Sequence, residues 1–232
     1  MKKTLMLLAI LQIVTLSLFA NGTVTKKYDF GSIKSIEAGS IFSIEVTEGN
    51  EKGVTIVCDE AYEEHIEVKY FQGELILSMK PNVKMLNNKE GIKVYLQMPT
   101  IEDIELSGAA NLTATGTFKT RELDIELSGA TSVKGLQISG SELTIECSGA
   151  STIKLDGSTS YFKSETSGAS NLKAKDYSAK DGYAEVTGAS SAKVRCTGTL
   201  KIMVSKMSSI THYGNPNIVN VDRGSNIRKG DD

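Results

Sequence analysis

The tripeptide Ser-Gly-Ala returns at near-constant spacing through the C-terminal half of this 232-residue chain, and no other feature constrains its fold as tightly. It stands at Ser107-Gly108-Ala109, Ser128-Gly129-Ala130, Ser148-Gly149-Ala150 and Ser167-Gly168-Ala169, followed by Thr187-Gly188-Ala189. Two diverged copies keep the frame at 205–210 and 222–227. First positions 107, 128, 148, 167, 187, 205 and 222 lie 21, 20, 19, 20, 18 and 17 residues apart. A period near 20 with small drift is that of a solenoid, one coil per repeat, with length changes taken up in turns.

The flanking residues make each coil a coil of strands. Ile104-Glu105-Leu106, Ile125-Glu126-Leu127 and Ile145-Glu146-Cys147 precede the motif, then Ser164-Glu165-Thr166, Ala184-Glu185-Val186, Ile202-Met203-Val204 and Val219-Asn220-Val221. In-out-in alternation is the period of a half-buried strand, not of a helix. After the motif, Leu112, Val133, Ile153, Leu172, Ala192, Ile210 and Ile227 fall in register as a second inward stack. Stacked at about 4.8 Å per coil, seven coils extend roughly 30 Å around a continuous apolar column. The expectation is an all-β fold, a parallel β-solenoid.

Ser-Gly-Ala lies between the two stacks, where the chain turns. Gly108, Gly129, Gly149, Gly168 and Gly188 supply positive φ or a close backbone approach there, and Ala suits a narrow corner. The Ser hydroxyl can satisfy turn backbone groups or bond its equivalent in the next coil. A nucleophilic serine needs a base and an orienting third group. The chain holds only His65 and His212, and neither belongs to such a constellation.

Residues 21–100 lack the motif but alternate strongly. Strands are expected at 41–47, 54–58, 65–70, 74–79 and 91–98, with Phe71-Gln72-Gly73 as a hairpin-like connection. Residues 59–64 suit one helical turn and 81–90 a loop. An open solenoid end exposes apolar stack and unpaired backbone, so this segment is expected to cap the array of 101–232. The other end finishes in the charged run Arg228-Lys229-Gly230-Asp231-Asp232.

Lys2, Lys3, an apolar run over 5–18 and Ala20 before Asn21 have the layout of a signal peptide occupying 1–20. The first Cys is Cys58, so no lipoprotein anchor is expected, and no second apolar run is long enough to span a membrane. The mature chain of about 210 residues is therefore placed in the periplasm or at the cell surface. Net charge is −2 with both signs dispersed, which gives no footprint for nucleic acid. The spacing of Cys58, Cys147 and Cys196 fits no metal motif. Cys147 reads as a small buried hydrophobe, and a Cys58–Cys196 disulfide is left open.

The order of parts resembles the bacterial head GIN domain family. The similarity is carried by 28–33, by Gly39-Ser40-Ile41-Phe42-Ser43-Ile44-Glu45-Val46-Thr47-Glu48-Gly49, by 73–77 and 94–99, and by Ile104-Glu105-Leu106-Ser107-Gly108-Ala109. It covers about residues 28–227. The family, labelled a "putative auto-transporter adhesin" domain, implies a right-handed single-stranded β-helix in an exported protein. Two departures stand out: the Gly-Ile-Asn string is replaced by Gly39-Ser40-Ile41, and the chain carries no membrane-barrel segment.

Candidate binding residues lie along the outward rows. Glu105, Glu126, Glu146, Glu165 and Glu185 share one position, and Lys134, Lys154, Lys173 and Lys193 share another, continued by Arg228. Like charges one coil apart repel by about 1 kcal/mol in water-like dielectric. The Glu row is a candidate calcium ladder and the Lys row a candidate site for acidic glycans. The plainer reading makes both rows solvated faces that discourage lateral pairing. Tyr161, Phe162, Tyr177 and Tyr183 cluster in neighbouring coils, with Tyr161, Tyr177 and Tyr183 as candidates for a sugar-stacking strip or for turn packing. The expected function is a non-catalytic, cofactor-free envelope module binding a glycan or protein. A β-helical polysaccharide lyase or hydrolase and a purely structural component are the alternatives. An enzyme would want clustered acids and bases in a cleft of long loops, whereas the loops here are short.

Overall fold

The computed structural model describes residues 18–20, 22–81, 91–205, 207–220 and 226–231. The expected loop at 81–90 falls almost wholly outside them, as do 1–17 of the leader. In the repeat region the strands are β9 (Asp103–Leu106), β10 (Asn111–Thr115), β11 (Thr117–Leu127), β12 (Ser132–Cys147), β13 (Thr152–Thr166), β14 (Asn171–Val186), β15 (Ser191–Cys196), β16 (Thr199–Val204), β17 (Ser209–Tyr213), β18 (Asn217–Asn220) and β19 (Asn226–Lys229). Each pairs in parallel with its equivalent one coil on: Ile104 with Ile125, Ile125 with Ile145, Ile145 with Ser164, Ser164 with Ala184 and Ala184 with Ile202. This is a β-solenoid, as the period requires.

Three faces make up a coil. Face A carries 103–106 and its equivalents, face B 111–115, and face C 117–120. Face A buries the column Leu106, Leu127, Cys147, Thr166, Val186 and Val204. Face B buries Leu112, Val133, Ile153, Leu172, Ala192 and Ile210. Face C stacks Phe118, Ile138, Gly157 and Tyr177, and a side chain on Gly157 would run into the Ile138 backbone one coil back. Register breaks between Val133 and Leu136, Lys154 and Gly157, and Ala174 and Ala179 absorb the drift in repeat length.

The N-terminal part is threaded through the stack. It comprises β1 (Leu18–Ala20), β2 (Thr23–Tyr28), β3 (Ser35–Ala38), β4 (Phe42–Glu48), β5 (Val54–Asp59), β6 (Ile66–Phe71), β7 (Glu74–Met79) and β8 (Ile92–Met98). Strands β3 and β4 lie parallel to β9 and β10 on one side and to β7 and β8 on the other. They form a coil inserted between two later stretches of chain. Beyond β7 and β8 the direction reverses: β6 pairs antiparallel with β7, β5 with β8, and β2 with β5. These antiparallel strands close that end. The stacked rings of Tyr28, Phe30 and Tyr70 and the buried Tyr62 pack there. Tyr62 belongs to the expected helical turn, α1 (Glu60–Glu63), which Asp59 caps by accepting from the Ala61 N–H. Gln72 and Gly73, both at positive φ, make the tight β6–β7 hairpin turn.

All three cysteines are free and buried. Cys58 lies in the antiparallel cap and Cys196 several coils away, far beyond the reach of a disulfide. The open alternative of a Cys58–Cys196 bridge is thereby removed. Among the described residues no helix is long and apolar enough to cross a membrane.

Candidate functional site

The Ser-Gly-Ala corner works differently from its sequence reading in two respects. The glycines do need positive φ, from +69° at Gly108 to +78° at Gly129. The alanines, however, are exposed, and it is the next residue that faces inward: Ala110, Thr131, Ser151, Ser170, Ser190 and Ser208. A narrow site for Ala is therefore not the constraint. The corner is held by backbone, each Ala N–H donating to the Gly carbonyl one coil back at 2.7–2.8 Å in the copies from Ala130 to Ala189.

The hydroxyl contacts also sit at that inward position. Thr131 Oγ1 donates to Ser151 Oγ at 3.0 Å, and the Ser151 and Ser170 N–H groups donate to Ser170 Oγ and Ser190 Oγ. The motif serines themselves bond backbone, as Ser148 and Ser167 do to Leu127 and Cys147 carbonyls at 3.3 Å. The missed signal was the fourth motif position, which is small or hydroxylic in every copy from Ala110 to Ser208.

Face A brings the expected Glu column together. Glu105, Glu126, Glu146, Glu165 and Glu185 are neighbours in register, and the inserted coil adds Glu37 beside Glu105. Sequence reasoning missed Glu37 because the coil that carries it lacks the motif. A shallow groove of about 220 Å3 runs along this column, with Ser128, Ser148, Ser167 and Thr187 on its other side. The adjacent outward column begins Asp103, Asp124, Thr144. Burial, then Asp124, Glu126, Glu105 and Glu74, pushes the Asp103 carboxyl up to about 6. Burial, Glu105 and Glu74 likewise raise Glu37, with Lys69 opposing. Crowding by like charge is thus real on this face, yet among the described residues no three acids, imidazoles or thiols converge to hold a metal ion. One carboxylate per coil, facing outward from a flat sheet, does not make the multi-oxygen cage that calcium needs.

Face B places Lys154, Lys173 and Lys193 in one exposed column, and the exposed Lys134 follows Val133 as Lys154 follows Ile153, at a register break. Thr211 separates it from Arg228, so the basic row is interrupted there. Beside it runs a second outward column of Asn111, Ser132, Thr152, Asn171, Ser191 and Ser209. The Glu column of face A and the Lys column of face B therefore carry opposite charge.

The tyrosines divide. Tyr177 is buried with its hydroxyl bonded to Thr159 Oγ1, and it packs against Phe162 at 5.9 Å. It is core, which withdraws it from any surface strip. Tyr161 and Tyr183 point outward on face A. A second depression, of about 770 Å3, lies near the edge of faces C and A beside Glu102, Lys119, Arg121 and Glu122.

A family model described as "Putative auto-transporter adhesin, head GIN domain" matches residues 32–216. Among solved structures, a "putative adhesin" from Bacteroides fragilis is 23% identical with a TM-score of 0.79, covering 91% of this chain and 95% of that one. A "putative lipid binding protein" from Parabacteroides distasonis is 15% identical with a TM-score of 0.68, covering 91% and 98%. A "putative adhesin" from Parabacteroides merdae is 17% identical with a TM-score of 0.65, covering 91% and 97%. At these identities the likeness is one of fold. No curated protein matches the chain.

Proposed function

The chain belongs to the family described as "Putative auto-transporter adhesin, head GIN domain", and on that premise we propose that it is a non-catalytic envelope module whose lysine face holds an extended acidic glycan. The observation that carries this reading is the column Lys154, Lys173 and Lys193, in register, exposed, flanked by hydroxyl and amide side chains, and extended by Lys134 at the register break of the preceding coil. Ammonium groups about 4.8 Å apart meet a polymer of repeating carboxylates or sulfates without distortion of the sheet. The neighbouring Ser, Thr and Asn column supplies hydrogen bonds to sugar hydroxyls.

The leader-like N-terminus supports export, with cleavage after Ala20. In that case β1 departs with the leader, while β2 stays paired with β5. Residues 21–100 then serve as the head that closes the stack and 101–232 as the presenting array, in the periplasm or at the surface.

The test is binding of the purified chain to polygalacturonate and heparin, with dextran as the uncharged control. Salt-sensitive binding that Lys154→Glu/Lys173→Glu weakens at least tenfold is expected. Binding unaffected by those changes, or captured only with an envelope protein, would defeat the reading. Release of reducing or unsaturated ends would replace binding with turnover.

A further inference from the structure

Face A changes character along its length. Its second outward column runs Asp103, Asp124, Thr144 and then Lys163, Tyr183, Lys201. A third column runs Glu122, Glu142, Tyr161 and Asp181. An acidic surface thus gives way, over a few coils, to tyrosines set among lysines. The interior does not require this. Phe162 and Tyr177 fill the core of these coils, while Tyr161 is 39% exposed.

Tyr161 pairs with Asp181 and Lys163 with Tyr183, so the two tyrosines are diagonal neighbours across adjacent strands, within reach of one flat ligand. Tyr183 is fixed in place. Its hydroxyl lies 2.6 Å from Glu185 Oε2 and 3.0 Å from Met203 Sδ, and the Lys201 ammonium lies 5.5 Å from its ring centroid. Lys163 pairs with Glu165 at 2.8 Å. Glu165 and Glu185 also line the end of the face A groove.

We infer that Tyr161, Lys163, Glu165, Tyr183, Glu185 and Lys201 form a subsite for an uncharged saccharide, separate from the lysine face. A pyranose offers apolar C–H faces that stack on aromatic rings, and hydroxyls that both donate and accept. The subsite offers the exposed Tyr161 ring, ammonium donors and carboxylate acceptors side by side, with Tyr183 held in one position under the Lys201 ammonium. A polyanion would meet Glu165, Glu185 and the neighbouring Glu142 and Asp181. A simple cation would meet Lys163 and Lys201. A saccharide, whose hydroxyls are at once donor and acceptor and which also presents an apolar face to Tyr161, satisfies both sets.

The experiment titrates the full chain with cellohexaose, xylohexaose, mannohexaose and chitohexaose, read by calorimetry and by tyrosine fluorescence, which no Trp obscures. At least one hexasaccharide is expected to bind, Tyr161→Ala and Tyr183→Ala each weakening it tenfold or more. Lys154→Glu/Lys173→Glu should leave this binding unchanged, so the two sites fail independently. Tyr161 is exposed, and its variant should keep the parent circular dichroism. If no hexasaccharide binds, or if Tyr161→Ala and Lys163→Ala both bind as the parent does, the subsite is overturned.

Discussion

Gly129 stacks directly on Gly108: a methyl carbon added to Gly129 would lie 2.5 Å from the Gly108 carbonyl oxygen. The same relation recurs between Gly149 and Gly129 and between Gly168 and Gly149, each at 2.5 Å. Two constraints act on one atom, positive φ and a backbone in the way. Gly149→Ala is therefore expected to cost about 3 kcal/mol or more, whereas φ strain alone accounts for about 1 kcal/mol. Gly91, at φ +63° with nothing closer than the Ile41 carbonyl oxygen at 3.9 Å, isolates the strain. Urea denaturation of Gly149→Ala and Gly91→Ala should show that difference.

Ser40 stands in the corner position that Gly108 fills one coil on. It has φ +68°, and the Ala109 N–H donates to its carbonyl as the Ala130 N–H does to that of Gly108. Ser40→Gly should therefore stabilise the chain by about 1 kcal/mol, by relieving the left-handed conformation. A fall in the urea midpoint would contradict this.

The repeat itself was legible because inward columns such as Ile104, Ile125 and Ile145 recur in the sequence at the period of the coil. The inserted coil was not. Gly39-Ser40 replaces Ser107-Gly108, so the marker is missing, and chain order does not reveal that Ile36 stacks between Leu75 and Ile104. The charge columns were legible for the same reason as the repeat, since outward residues share its period. The fate of Tyr177 was not, because the sequence does not reveal that its hydroxyl meets Thr159 one coil back, inside the stack.

Ser164 Oγ and Thr166 Oγ1 are buried without a hydrogen-bond partner. Both lie in columns that are otherwise apolar, beside Ile145 and Cys147. Replacing an unsatisfied hydroxyl by an isosteric methyl removes a desolvation cost of about 1–3 kcal/mol. Thr166→Val is expected to raise the melting temperature, and a lowered one would mean that the hydroxyl is satisfied in solution.

Asp103 carries the pH dependence of face A. Its folded pKa, about 6, lies above the 3.8 of an unperturbed aspartate. Its contribution is most favourable below the unfolded value and is lost as pH rises through the folded one. Stability from this group should thus decline between about pH 4 and pH 6–7. Asp103→Asn should raise the melting temperature at pH 8 and change it little at pH 4. Equal effects at both pH values would remove Asp103 as the source.

Burial raises the Cys147 and Cys196 thiols to about 12 and Cys58 to about 11. Neither exposure nor thiolate character favours reaction. Ellman's reagent should find no rapidly reacting thiol in the native chain and three in denaturant, counted from the three cysteines of the sequence. A fast native thiol would contradict the burial.

The inserted coil also imposes an order of assembly. Strands β3 and β4 have neighbours on both sides that are synthesised after them, so Ile36 must wait for both Leu75 and Ile104. Each later coil needs only the one before it, laid down about twenty residues earlier. Closing the long loop is the slow, entropically costly event, and local addition is fast. A chain emerging N-terminus first therefore stays open until about residue 115, then zips coil by coil. Nascent chains stopped before β10 should accordingly remain protease-sensitive, while those stopped after β13 should already resist.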